Sequence, residues 1–130
     1  MVFITFIVQI FLALAMLYYS IPKLIFSKEK LKYEGGREME YVDSLSKNQL
    51  LLIGIIEFST SVGLILPKIF NQYSWIIILS SLVIIAAMIV AIILHINRND
   101  GAKAILINIL YIFMSIIVIL GNQISKKWII

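Results

Sequence analysis

Apolar and polar residues fall in blocks along this chain, not in the short alternations of a soluble fold. From Val2 to Ile21 only Thr5, Gln9 and Ser20 interrupt an apolar run. A second run, Leu50 to Pro67, contains one charge, Glu57. A third, from Trp75 to Ile96, has His95 near its end, and a fourth, from Ala104 to Leu120, is broken by Asn108, Tyr111 and Ser115. Apolar runs of about 17–25 residues are long enough to span a bilayer as helices. The blocks therefore predict helices over about 2–26, 48–66, 75–96 and 104–120, with a polar loop over 27–47 and two short turns. The expected fold is all-α, an integral membrane four-helix bundle forming one transmembrane domain over residues 1–130. Pro22 is expected to kink the last turn of the first helix and Pro67 to stop the second, since proline lacks the amide hydrogen a helix needs. Tyr73, Trp75 and Trp128 sit where an interfacial aromatic belt is expected, Trp128 beside Lys126 and Lys127.

Composition strengthens the membrane reading. The 130 residues are 62% hydrophobic, with a mean hydropathy of +1.03, against about 45–50% apolar residues in a soluble domain. The first run lacks a preceding basic segment, so it reads as a retained helix and not a cleaved leader. The net charge of +4 could suggest nucleic acid, but no basic stripe with interleaved aromatics accompanies it, and no nucleic-acid partner is expected. It reads as topology instead. Lys23, Lys28, Lys30, Lys32, Arg37, Lys47, Arg98 and Lys103 lie on one side, against Lys68, Lys126 and Lys127 on the other. The positive-inside rule then puts the loop 27–47 in the cytoplasm and both termini outside, in a multi-pass cell-membrane protein. Within the loop, Gly35-Gly36 marks a turn, and Met39, Val42 and Leu45 share a face that could rest on the membrane surface.

Chemistry is narrowed by what the chain lacks. Cysteine is absent, which removes disulfides, thiolate nucleophiles and thiol redox relays. A single histidine excludes multi-histidine metal or haem ligation within one chain, and no metal site is expected. What remains is an ionisable group inside the membrane. Such a group is costly in lipid and faces a protein interior or a water-filled cavity. Gly54, Glu57, Ser61 and Leu64 share one helical face, where the small residues admit a neighbouring helix. Lys23 closes the first helix and His95 the third. With about 1.5 Å rise per residue, Glu57 lies roughly 15 Å from the loop end of its helix. A Lys23–Glu57 contact is therefore expected to need tilt, the Pro22 kink or a bridging water. Glu57, Lys23, His95, Gly54 and Ser61 are the candidates for a ligand-binding site or a polar core.

Four segments carry a resemblance. Ser20-Ile-Pro-Lys23-Leu24 is similar to a Gly-x-x-Lys-Leu ending helix one, and Gly54-Ile-Ile-Glu57-Phe58 to a Gly-x-x-Glu in helix two. Gly63-Leu64-Ile-Leu-Pro67 matches a Gly-Leu-x-x-Pro, and Ala91-Ile-Ile-Leu-His95-Ile-Asn-Arg98 an Ala-x-x-x-His ending helix three. In this order, and at this chain length, they resemble the DoxX-like family of small four-helix membrane proteins. Two positions depart from it: Ser20 replaces a favoured glycine, and helix one lacks the early arginine of many members. The resemblance implies a membrane location and links to redox chemistry. The family is named for relatives tied to a thiosulfate:quinone oxidoreductase, other members are linked to oxidative-stress partners, and distant relatives look like membrane chaperones.

Three functions are compatible with these residues. One is a membrane subunit, not catalytic on its own, that binds a quinone or other lipid-like ligand beside Glu57 and Lys23 for a redox protein partner. It has no covalently bound cofactor and no electron carrier of its own. Another is a scaffold or assembly factor without a ligand, whose polar residues lock the bundle while the loop 27–47 meets a partner. The third, a small proton-coupled exporter, fits least, because the small multidrug transporters place their glutamate in helix one and none stands there here.

Overall fold

A computed structural model describes residues 2–25 and 45–129, with side chains described for 3–25 and 45–123. Four helices follow in order: α1 (Val2–Ile25), α2 (Lys47–Phe70), α3 (Trp75–Arg98) and α4 (Ala102–Ile129). All four are long and apolar enough to cross a membrane. At about 1.5 Å per residue, 22 to 24 residues are enough to span the roughly 30 Å of hydrocarbon. The fold is an all-α four-helix membrane bundle. The predicted loop 27–47, its surface-lying face, the Gly35-Gly36 turn and the end of the first helix at residue 26 lie mostly outside the described residues. The side chains of Lys126, Lys127 and Trp128 do too.

Helix ends explain where prediction and structure differ. Ser46 caps α2: its hydroxyl accepts from the Gln49 amide at 3.1 Å, and Gln49 Oε1 accepts from the Ser46 amide at 2.9 Å. This reciprocal capping box starts the helix at Lys47. At the other end Pro67 does not stop α2 as predicted. It stands inside the helix, and the Asn71 and Gln72 amides both donate to its carbonyl. Proline removes one donor but keeps a helical φ, so the helix runs another turn to Asn71, which ends it in the left-handed conformation at φ 54°. Asn99, at φ 57°, closes α3 in the same way, and Gly101, at φ 96°, completes the turn into α4. α4 also passes the predicted end at residue 120, because Gly121 is helical and lies directly against the Thr5 side chain.

The helices form a ring in which α1 lies against α2 and α4, and α3 against α2 and α4. Glycines mark three of the four seams. A Cβ at Gly54 would meet Lys23 of α1, one at Gly63 would collide with Ser80 of α3, and one at Gly121 would collide with Thr5. The apolar core is small, centred on Leu12, Met16, Leu64, Ile77, Ile84 and Val118. Among the described residues, buried polar and charged side chains outnumber buried apolar ones, while Phe3, Phe11, Ile69, Val90 and Phe113 are exposed. Water would punish that distribution; a bilayer, as apolar as those side chains, accepts it.

Candidate functional site

The most highly charged contact in the bundle interior joins α1 to α2. Lys23 Nζ donates to Glu57 Oε1 at 2.6 Å, with the two side chains only 5% and 7% exposed. No bridging water is needed, because the helices are offset in register. Antiparallel packing sets Lys23 against Gly54, Ala13 against Ser61 and Gln9 against Leu64. The start of α2 therefore projects beyond the level of Lys23, and the 15 Å gap expected from the helix ends disappears. Gly54 completes the arrangement. An ideal Cβ there would lie 3.0 Å from Lys23 Cβ, so glycine lets α1 approach until the lysine stem lies along α2. Glu57, three residues on, then faces its ammonium.

Neighbouring polar groups are satisfied locally. Thr60 Oγ1 donates to the Glu57 carbonyl and Ser61 Oγ to the Ala13 carbonyl, both at 2.8 Å. Ser20 Oγ donates to the Leu17 carbonyl at 2.9 Å. Serine at this position thus spends its hydroxyl on its own helix and remains fully buried. Tyr19 and Tyr111 meet across the α1–α4 seam, hydroxyl to hydroxyl at 3.1 Å, with their rings edge to face.

A second polar node, not foreseen from sequence, lies deeper along α1. Gln9, 1% exposed, donates through Nε2 to the Leu64 carbonyl at 2.5 Å and accepts from Asn122 Nδ2 at 3.1 Å. One amide thereby ties α1 to both α2 and α4. The clue available was a lone amide in an otherwise apolar run, which marks a face turned from lipid. Its partner was hidden because residue 122 falls beyond the predicted fourth helix.

His95 is placed with other partners. Its Nδ1 lies 2.7 Å from Asp100 Oδ2, in the turn between α3 and α4. The five sequence candidates thus distribute as Lys23, Glu57 and Gly54 in one contact, Ser61 one turn further along α2, and His95 at the end of α3. Among the described residues no group of three or more histidine or acidic side chains is placed to hold a metal ion.

Chemically, the pair sets a donor and an acceptor side by side in a water-poor interior. The charge-assisted bond is strong, and removing Lys23 alone leaves the buried Glu57 carboxylate without its ammonium. No curated protein and no solved structure matches this chain. A family model described as the DoxX-like family matches residues 7–118. That span runs from the first helix to the last and includes Lys23, Gly54, Glu57 and His95, so the chain belongs to the DoxX-like family.

Proposed function

We propose that this DoxX-like protein is a membrane subunit, not catalytic on its own, that holds the polar head of a quinone or lipid-like molecule at Lys23 and Glu57 for a redox protein partner. The buried Lys23–Glu57 ion pair within the membrane carries this reading. An ammonium suits a carbonyl oxygen, and a carboxylate suits a hydroxyl, so the two together complement both the oxidised and the reduced head of a quinone. The chain supplies binding and orientation, and the partner supplies the electron carrier. In the proposed orientation the loop 27–47 is cytoplasmic and meets that partner, with both termini outside.

The test is native mass spectrometry of protein extracted gently from its own membranes. Wild-type protein is expected to carry a small molecule of defined mass, and Glu57→Gln to lose it. The double variant Lys23→Met/Glu57→Met removes both charges, so it stays folded and separates loss of ligand from loss of structure. A folded double variant that still holds the molecule would overturn the reading.

A second reading has its own observation. Gly54 seats the Lys23 stem and the two charges satisfy each other, as in a lock that fixes one helix packing. On that reading the protein is a scaffold or assembly factor. Wild-type protein then carries no small molecule, Glu57→Gln lowers thermal stability, and charge reversal in the loop 27–47 releases the protein partner.

A further inference from the structure

The turn between α3 and α4 holds a second charged cluster. Asp100 is shared unequally: His95 Nδ1 lies 2.7 Å from one carboxylate oxygen, whereas Arg98 Nε stands 3.6 Å from the other. The carboxylate is committed to the histidine, and the guanidinium is left under-used. The Arg98 side chain is only 19% exposed, and its Nη1 is enclosed with no acceptor, the one such side-chain nitrogen or oxygen among the described residues. A buried donor without an acceptor is costly, the more so when charged.

The surroundings favour an anion. Arg98 and Lys103 outnumber Asp100, so the cluster is positive even with His95 neutral. α4 begins at Ala102 with no acidic residue in its first turn, and its first amides have no acceptor within the helix. Gly101 lies between, and a Cβ there would meet nothing within 4 Å, so no side chain crowds the turn at that point. Both helices cross the membrane, so the turn between them emerges among headgroup phosphates.

We infer that the α3–α4 turn binds a phosphate-bearing anion through Arg98, with Lys103 and the first amides of α4 adding attraction. Binding draws the guanidinium from its enclosed position toward the anion and supplies the acceptor that Nη1 lacks. A phospholipid headgroup and free phosphate share this chemistry. The site does not depend on the Lys23–Glu57 reading.

The experiment titrates the full chain in neutral detergent with phosphatidylglycerol and, separately, with inorganic phosphate, reading bound adducts by native mass spectrometry. A one-to-one phosphatidylglycerol adduct identifies a lipid headgroup, and an adduct with inorganic phosphate alone identifies a soluble anion; either supports the site. Arg98→Gln is expected to raise the dissociation constant by about 10–100-fold, the usual worth of a hydrogen bond to a charged group. Arg98→Lys, which keeps the charge but not the planar fork, is expected to weaken it by a smaller factor and serves should the glutamine variant not fold. No adduct with either probe, or unchanged binding in a folded Arg98 variant, overturns the proposal.

Discussion

Gly54 shows how much can depend on a missing side chain. Its ideal Cβ would stand 3.0 Å from Lys23 Cβ, an atom fixed to the backbone of α1 and unable to swing aside. Gly54→Ala is therefore expected to push α1 and α2 apart and lengthen the Lys23–Glu57 bond. The expected loss is about 1–3 kcal/mol, the usual cost of overpacking a tight contact, measurable as a lower melting temperature in detergent. The pair itself should respond asymmetrically. Lys23→Met alone takes the ammonium from the buried Glu57 carboxylate, at a cost of about 3–5 kcal/mol, whereas removing both charges recovers most of that. A double-mutant cycle on unfolding free energy reads the coupling directly; purely additive losses would mean that the two side chains do not stabilise each other.

The Gly-x-x-Glu spacing was legible in the sequence, as was the lysine ending the first apolar run. Their direct contact was not, because it depends on how far one helix slides along another. Periodicity fixes which face a residue occupies but leaves the depth of its partner undetermined. Amide partners were hidden for a similar reason: Gln9 and Asn122 are 113 positions apart, and nothing local links them. The capping box at Ser46 and Gln49 was written in the sequence, three residues apart as the motif requires, and it defines the start of α2 better than the fading of the polar block does.

At the scale of the element, helix ends obey capping chemistry more than hydropathy. The apolar run predicts that α2 ends at Pro67, yet Asn71 ends it; Gly121 reads as the beginning of a tail, yet α4 runs through it. A glycine inside a membrane helix is a packing surface as readily as a stop. Ser46→Ala removes an acceptor from the first turn of α2 and is expected to cost about 0.5–2 kcal/mol. The change should appear as faster amide hydrogen exchange confined to that turn, while exchange at Glu57 stays slow. Gln9→Leu acts across elements instead. It leaves Asn122 without its cross-helix acceptor and the Leu64 carbonyl without its side-chain donor, so α4 should loosen from α1. Asn122 itself keeps a bond to the Val118 carbonyl, which limits the effect to the seam. Cross-linking between cysteines introduced on α1 and α4 would report it, and undiminished cross-linking would show that the amide bridge does not hold the seam.

At the scale of the whole molecule, solvent decides what counts as outside. The exposed middle of α3 faces hydrocarbon, so Ala86→Arg is expected to make insertion of that helix less favourable by about 2.5–3.5 kcal/mol. Asn97→Arg, at the helix end, should change it little. A glycosylation-reporter insertion assay compares the two, and an equal effect at both positions would contradict the membrane depth assigned to α3. The four-helix plan was the most legible feature of the sequence, since each apolar run is long enough alone to announce a span. The interior was the least legible, because a bundle in lipid hides its polar residues, and their pairing is a property of three-dimensional register.

Every described side-chain hydrogen bond between helices has α1 as one partner: Lys23 with Glu57, Gln9 with Leu64 and Asn122, Ser61 with Ala13, and Tyr19 with Tyr111. That arrangement has a consequence in time. α1 leaves the ribosome before the other three helices, but Glu57 follows Lys23 by 34 residues and Asn122 follows Gln9 by 113. Until then its glutamine and lysine must be sheltered by the insertion machinery or by another chain. The earliest made of these four helices is thus the last to be completed, and the newborn bundle passes through an interval in which its hub is in place and its spokes are still being synthesised.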